Sequence, residues 1–201
     1  MKHAIIAVML AVLLVGCTTT EEGPTVPIDS SVVDVSTLLL APQDIAEIRL
    51  TPGGEAQTLE VLGLTSDNQY CKTENYETSE SSPLAQLATC SYTIDGMADT
   101  SVIIEMKRFT NSNDLTGTYQ YESLHLRGAK GLLAENTFGD QSRFSVNSDD
   151  DYGAEFNPPG VSFYSLYFTK DSYLVHVTTK GSADAKEDVA SIGRRILAKF
   201  E

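Results

Sequence analysis

Cys71 and Cys90 are the pair of side chains whose chemistry is most clearly defined. They flank a polar, turn-rich segment and form no C-x-x-C motif, the spacing typical of a redox dithiol or, with further ligands, of a metal site. If the chain is exported, as the leader described below indicates, the two cysteines that remain beside Cys17 are typical of a structural disulfide. We therefore predict a disulfide that stabilises the fold by about 3 kcal/mol on the chain-entropy argument. A metal pair and a redox dithiol stay open as alternatives.

A third cysteine, Cys17, follows directly on an apolar run at residues 4–15, which Lys2 precedes. Twelve apolar residues are too few to span a membrane, which takes about 20, but they fit a signal peptide. The ending Leu14-Val15-Gly16-Cys17 resembles the lipobox of prokaryotic lipoproteins, in which the chain is cut before the cysteine and the thiol carries a diacylglycerol. The resemblance implies that residues 1–16 are a signal peptide and that Cys17 is lipidated.

Two acyl chains on Cys17 are enough for stable attachment to a membrane. We therefore expect the protein on the extracytoplasmic face of the cell membrane, or of the outer membrane if the cell has two. An ordinary secretory signal with an incidental cysteine is the alternative.

Tyrosine is the most frequent aromatic residue, with nine tyrosines, seven phenylalanines and no tryptophan. Tyr119 lies in a predicted helix, and Tyr164, Tyr167 and Tyr173 lie in a predicted hairpin. A tyrosine combines an apolar ring with a polar tip, which suits the lining of a ligand cleft. These four residues are our candidates for such a cleft, and ordinary core and sheet packing is the alternative.

The histidines of the mature chain belong to no catalytic motif. His125 lies near the end of a predicted helix, and His176 lies in the middle of a predicted strand, opposite the face of Val175 and Val177. No G-x-S-x-G or similar nucleophile motif accompanies them. We therefore predict a protein that is not an enzyme and that needs no cofactor.

An acidic loop offers a weak candidate for a cation site. Asp149, Asp151 and Glu155 supply oxygen ligands of the kind that calcium prefers. However, Tyr152 stands where an EF-type loop needs glycine, and Pro158 where it needs the closing glutamate. A solvated loop without a metal is therefore our first interpretation, and weak cation binding is the alternative.

The charge balance argues against nucleic acid as a partner. The chain has a net charge of −14, and removal of the leader leaves 13 basic residues against 28 acidic ones. A surface this acidic repels phosphate backbones, and no run of basic residues exceeds a pair. The partners that we expect are the membrane, through the lipid anchor, and either a small ligand or another envelope protein.

Residues 17–36 are rich in Thr, Ser, Glu and Pro, so we predict a semi-extended tether that leads to a single globular domain at 37–201. The pattern at 36–50 predicts a short helix that opens at Pro42, a second helical pattern lies at 115–127, and after Ser182 a last helix carries an apolar stripe of Ala185, Val189, Ile192, Ile196 and Phe200. Strand patterns lie at 57–65, 87–95, 100–109, 134–138, 143–146, 161–169 and 173–179. This order predicts an α+β domain, in which helices pack an antiparallel sheet of about five to seven strands.

These features resemble those of exported lipoproteins with a PsbP-like α/β/α sandwich, and of the extracellular sensor domains of some mycobacterial kinases. The matching features are the early helix with Leu38-Leu39-Leu40, the two cysteines ahead of a strand, the turn Phe138-Gly139-Asp140-Gln141-Ser142, the hairpin with Phe163 and His176, and the closing helix. The resemblance implies a three-layer domain without catalytic activity. We therefore expect a membrane-anchored, non-catalytic lipoprotein that binds a small ligand or senses at the cell envelope. A structural or assembly factor that docks another envelope protein is the alternative.

Overall fold

The computed structural model describes residues 33–52, 71–79, 82–97, 100–124, 131–147 and 160–201. The α-helices in these ranges are α1 (Pro42–Glu47), α2 (Ser112–Leu124) and α3 (Lys186–Leu197), and 3-10 turns lie at Val35–Leu38 and Ala198–Phe200. The strands are β1 (Leu50–Pro52), β2 (Cys71–Asn75), β3 (Leu84–Ile94), β4 (Ser101–Phe109), β5 (Leu132–Glu135), β6 (Gln141–Asn147), β7 (Ser162–Lys170) and β8 (Tyr173–Gly181).

The described strands form one antiparallel sheet in the order β1-β3-β4-β8-β7-β6-β5, and β2 also pairs with β3. Strands β1 and β2 share one edge of β3, since Leu50 lies opposite Ile94 and Cys71 lies opposite Cys90. The α+β class and the antiparallel sheet are thus confirmed, with eight strands in the described ranges rather than five to seven. Residues 57–65, predicted as a strand, lie outside those ranges.

Side chains alternate between the two faces of the sheet, as the two-residue period of a strand requires. One face, here called the core face, carries a buried set from the five long strands: Ala88, Cys90, Tyr92, Val102, Ile104, Met106, Phe144, Leu166, Phe168, Val175 and Val177. Helices α1 and α3 cover this face. Of the stripe predicted for the last helix, Ala185, Val189, Ile192 and Ile196 are buried and Phe200 is half-buried. Each buried valine or isoleucine of this stripe stabilises the fold by about 1.5–3 kcal/mol.

Helix α2 lies on the opposite face of the sheet. It begins after Asn111, whose Oδ1 accepts the amide hydrogen of Asp114 at 2.9 Å and so satisfies one free donor of the first turn. A second, smaller apolar cluster joins the helix to the strands and consists of Phe109, Leu115, Tyr119, Tyr167 and Leu174. Helices therefore lie on both faces of the sheet, which is the predicted three-layer arrangement.

The packed domain includes residues 33–36, which the sequence analysis assigns to the tether. Val35 is buried in the core, and its amide donates to Gln86 Oε1 at 3.1 Å. Gln86 is itself buried; its Nε2 donates to Asp34 Oδ2 at 2.6 Å, and its Oε1 also accepts from Arg108 Nε at 2.9 Å. Because a buried amide needs partners for its polar atoms, Gln86 fixes the first residues of the domain to the sheet.

The first helix begins at Pro42, as predicted, and Ala41 before it is extended with ψ 161°, because a proline disfavours the helical conformation at the preceding residue. The last helix begins at Lys186 rather than directly after Ser182, and Asp184 Oδ1 accepts the amide hydrogen of Lys186 at 3.1 Å. This local hydrogen bond moves the start of the last helix by a few residues without changing which face the helix buries.

Asp44 joins α1 to the last turns of the chain. Its side chain is 7% exposed, lies 3.8 Å from Arg195 Nη1 and forms a hydrogen-bonded ion pair with Lys199 Nζ. The amide of Ala41 also donates to its Oδ2 at 2.8 Å. Burial by itself raises the pKa of Asp44, but the hydrogen bonds from Lys199 and Ala41 outweigh it, so that the pKa lies below its ordinary value. The two termini of the packed domain are thereby held together.

Candidate binding face of the sheet

Five side chains from adjacent strands line up across the face of the sheet that carries α2. The strand register places Arg143 opposite Tyr167, Tyr167 opposite His176, His176 opposite Glu105, and Glu105 opposite Thr89. We call this set the charged row. It crosses the sheet from β6 to β3 at the middle of the strands, where an antiparallel sheet covered on both faces would ordinarily carry apolar residues.

His176 is held by three neighbours. Its Nε2 lies 3.2 Å from Ser165 Oγ, and its Nδ1 lies 3.5 Å from Glu105 Oε2. The ring of Tyr167 stacks on the imidazole, with 3.8 Å between centroids and an interplanar angle of 6°. With a carboxylate beside Nδ1, the neutral imidazole carries its proton on Nδ1 and accepts a hydrogen bond from Ser165 at Nε2.

Glu105 stays ionised beside this histidine. The hydrogen bond from His176 is the main cause that holds the pKa of Glu105 below its ordinary value, against an opposing contribution from burial. Lys107, two residues along β4, lowers the same pKa further. The site therefore keeps a negative charge next to the imidazole and fixes its orientation.

A line of hydroxyl groups runs parallel to the charged row on the same face of the sheet, two residues further along each strand. Ser145 lies opposite Ser165, and Ser165 lies opposite Thr178. Ser165 Oγ is 3.4 Å from Thr178 Oγ1, while Ser145 and Ser165 are buried and Thr178 is half-buried. We call these three residues the hydroxyl row, and the two rows together the polar face.

Helix α2 packs against one end of the polar face. Its Tyr119 packs in the same apolar cluster as Tyr167, and its Glu122 pairs with Lys107 at 2.5 Å. Burial is the main cause of a raised pKa at Tyr119, so its phenol stays neutral. An aromatic cluster and an ion pair thus hold α2 against the sheet beside the polar side chains of the two rows.

The order Ser165, His176, Glu105 is also the order of a hydrolase triad, but the setting differs from that of a nucleophile. Ser165 is 4% exposed. It lies in the middle of β7, a strand paired on both sides, so that the amide groups around it are used in the ladders. Among the described residues, no free pair of amide donors stands beside Ser165 to stabilise an oxyanion. The arrangement orients His176 and creates no acyl-transfer centre in this part of the chain.

The four candidate tyrosines do not line one cleft. Tyr119 and Tyr167 lie on the α2 side of the sheet, whereas Tyr164 and Tyr173 lie on the core face. Tyr173 is 2% exposed and packs edge-on against Phe200, with 5.3 Å between ring centroids. The reason is strand parity, since Tyr164 and Tyr167 are an odd number of residues apart and therefore point to opposite faces.

Tyr164 has a local role at the edge of the core face. Its hydroxyl donates to Asp184 Oδ1 at 2.8 Å. Burial, together with this carboxylate, raises the pKa of Tyr164 to about 12. Tyr164 therefore braces the segment that leads into α3.

The predicted disulfide between Cys71 and Cys90 is present. The two residues are direct register partners on β2 and β3, and both side chains are buried on the core face, where Cys71 Sγ lies 3.6 Å from the Tyr92 hydroxyl. The bond therefore fastens the edge strand β2 to the sheet from inside the core.

The remaining candidates of the sequence analysis, Cys17, His125 and the acidic loop with Asp149, Asp151 and Glu155, lie outside the described residues. Within the described ranges, no group of three or more His, Cys, Asp and Glu side chains is placed to hold a metal ion. In the same ranges, no helix is long and apolar enough to cross a membrane.

Sequence reasoning placed His176 on the correct face but missed its partners. Glu105, Ser165 and Thr178 are single polar residues in alternating strand patterns. The two-residue period of a strand therefore predicts that their side chains point away from the core face. Ser165 and Thr178 lie near His176 within the predicted hairpin, whereas Glu105 reaches it through the pairing of β4 with β8, which no local pattern predicts.

Comparisons with known proteins give little guidance. No protein family matches the chain, and a comparison with curated proteins finds no match. Among solved structures, the fold is similar to the extracellular domain of PknH from Mycobacterium tuberculosis, at 12% sequence identity and a TM-score of 0.47, over 87% of this chain and 97% of that one.

Proposed function

We propose that this protein is an exported lipoprotein, anchored through Cys17 to the extracytoplasmic face of a membrane, whose domain binds a small ligand on the polar face without catalysing a reaction. Residues 1–16 would be removed as a signal peptide. The chain from Cys17 to about residue 32 would then act as the tether.

The disulfide supports the extracytoplasmic location. Thiols in a reducing compartment stay reduced, whereas a disulfide persists in an oxidising one. Cys71 and Cys90 lie directly opposite each other in the core, so the bond forms as a part of the fold. Together with the apolar leader that ends at Cys17, it agrees with export.

The polar face is the observation that carries the binding function. The core face of β4, β7 and β8 is apolar throughout its centre, whereas the other face of the same strands carries Glu105, Ser165 and His176. Burial of polar groups costs free energy unless each finds a partner. A preformed hydrogen-bonding array beside an aromatic stack is the arrangement that fixes small ligands.

Native mass spectrometry of the mature chain, released gently from its own membranes, tests this function. A discrete extra mass that survives mild conditions and is lost on activation would support a bound ligand. His176→Phe, which keeps an aromatic ring against Tyr167 but removes both ring nitrogens, should then lose that mass. Tyr164→Phe, on the core face, is the control and should keep it. Retention of the extra mass by His176→Phe would contradict the proposed site.

The anchor is tested separately by Cys17→Ala. We expect this variant to lack the diacylglycerol mass and to leave the membrane fraction, because the proposed attachment depends on the two acyl chains at this thiol. The control is a Cys71→Ala, Cys90→Ala double variant, which keeps Cys17 and should stay with the membrane. A Cys17→Ala protein that remains membrane-bound would contradict lipid anchoring.

A second candidate, docking of another envelope protein, is favoured by the outer side of α2. Tyr121 and Leu124 are 64% and 58% exposed, one turn apart on the helix, and exposed apolar neighbours are typical of interaction surfaces. Crosslinking in cells distinguishes the two functions. A partner captured by wild type and lost in Tyr121→Ser, Leu124→Ser would favour docking, and loss only in His176→Phe would favour the polar face.

A further inference from the structure

The hydroxyl row ends beside a lysine that makes no ion pair with any described residue. Lys180 is exposed and lies two residues beyond Thr178 on the same face of β8. Its Nζ is 6.0 Å from the ring centre of Phe163. Lys107 and Arg143, on the same face, are each paired with a glutamate. An ammonium group that has no counter-ion in the described part of the chain, next to hydroxyl groups, suits an oxyanion.

The hydrogen bonds that join His176, Ser165 and Thr178 can run in either direction. While the imidazole is neutral, Nε2 accepts from Ser165, the Ser165 oxygen accepts from Thr178, and Thr178 offers a ligand only lone pairs. When the imidazole is protonated, Nε2 donates to Ser165, Ser165 donates to Thr178, and the Thr178 hydroxyl hydrogen becomes available to a ligand. One proton on His176 thus converts the Thr178 end of the row from an acceptor to a donor.

We propose that the polar face binds an oxyanion group of its ligand at Thr178 and Lys180, and that it does so preferentially when His176 is protonated. This inference rests on the binding function proposed above and deepens it by naming the ligand chemistry and its control. Histidine is suited to the role because its side chain changes charge within the physiological pH range.

The charged and titratable groups around His176 allow this change. Glu105 and Lys107 face it from β4, Tyr167 from β7, Arg143 from β6, and Glu122 and Tyr119 from α2. The cations Lys107 and Arg143 are each neutralised by a glutamate. Glu105 therefore remains as the counter-ion that a protonated imidazole meets on its Nδ1 side.

Sulfate is the probe for the test, because it keeps its charge over the relevant pH range. The mature, lipidated chain is isotope-labelled, and the amide resonances of Thr178 and Lys180 are followed in a sulfate titration at constant ionic strength. We expect about fivefold tighter binding at about pH 5.5 than at about pH 8, because the Thr178 hydroxyl donates a hydrogen bond to the anion only when His176 is protonated. Equal affinity at the two pH values, or shifts confined to residues outside the polar face, would overturn the inference.

Three variants test whether sulfate binds at this site and whether His176 controls the binding. Lys180→Met keeps the aliphatic stem and should bind sulfate more weakly at both pH values, while Lys186→Met, which removes an exposed lysine on α3, should behave as wild type. His176→Gln should bind sulfate equally at the two pH values. A Lys186→Met effect as large as that of Lys180→Met would show a general charge effect and would contradict a site.

A measurement on the wild-type protein covers the case in which His176→Gln does not fold. The ring nitrogen shifts of His176 at about pH 8 should show a protonated Nδ1 and a bare Nε2. The opposite tautomer would contradict the proposed direction of the row. If native mass spectrometry finds a ligand that depends on His176 but sulfate binding is independent of pH, this inference fails while the binding function stands.

Discussion

Replacement of Asp44 by asparagine tests whether the buried ion pair between α1 and the end of the chain stabilises the fold. The Asp44 side chain is 7% exposed, and it contacts Lys199 and Arg195, which are 24% and 35% exposed. Breaking a fully buried pair costs about 3–5 kcal/mol. Because Lys199 and Arg195 can turn to water, and because the asparagine side chain keeps an acceptor for the Ala41 amide, we expect a smaller loss of about 2 kcal/mol.

The pH dependence of this loss follows from the lowered pKa of Asp44. A carboxylate whose pKa is lower in the folded state stabilises fully above the ordinary carboxyl value, and its contribution is lost as the pH falls through the folded-state pKa. Urea unfolding of wild type and Asp44→Asn should therefore differ by about 2 kcal/mol at about pH 7 and by less at about pH 3, where the carboxyl group begins to take up its proton.

Glu47→Gln is the matched control, because Glu47 contacts the same Arg195 but is 59% exposed. An exposed ion pair contributes about 0–1 kcal/mol, so this variant should lose at most a small fraction of the stability. If Glu47→Gln were as destabilising as Asp44→Asn, or if the Asp44→Asn loss were the same at both pH values, the argument from burial and ionisation would be refuted.

Packing and covalent constraints give three further predictions. Gly193→Ala should destabilise the fold by about 1–3 kcal/mol, because the added Cβ would lie 2.4 Å from Leu166 Cδ2. Thermal unfolding measures this loss, and an unchanged melting temperature would contradict the close contact. In the same measurement, Gly117→Ala should stabilise the fold by about 0.5–1 kcal/mol, because alanine has the higher helix propensity and nothing lies within 4 Å of the added Cβ on α2. A loss of stability would contradict the open space at this position. The Cys71→Ala, Cys90→Ala double variant should lose about 3 kcal/mol in urea unfolding, and no change would show that the bond does not constrain the unfolded chain.

The periodic elements could be predicted from the sequence, because their signals are local. The stripe of Val189, Ile192 and Ile196 identifies the buried side of α3, and the alternation in β7 and β8 identifies which residues leave the core face. The cysteine pair was predicted for the same kind of reason, since two cysteines in an exported domain have few other uses. The α+β class follows from the order of these elements.

The domain boundary and the tyrosine cleft were predicted less well. Residues 33–36 were assigned to the tether because the segment that they end is rich in Thr, Ser, Glu and Pro and shows no helical or alternating pattern, yet Val35 is buried and held by Gln86, which lies far away in sequence. Four tyrosines in neighbouring elements suggest one cleft, but the pleat separates Tyr164 from Tyr167. The composition shows which residue types are present, but it does not show on which face of the sheet each side chain lies.

By itself, the sequence determined the class of fold, the faces of its strands and helices, and the cysteine pair. The predicted export and anchoring rest on the apolar run and on the resemblance of residues 14–17 to a lipobox, and they stay predictions. Only the tertiary structure decided that Glu105 is a neighbour of His176, since β4 meets β8 through long-range pairing, whereas Ser165 and His176 lie on the two strands of one predicted hairpin. The physical reason is that side-chain direction depends on the local two-residue period, whereas strand order and register depend on the packing of the whole sheet. The polar face is a product of that pairing.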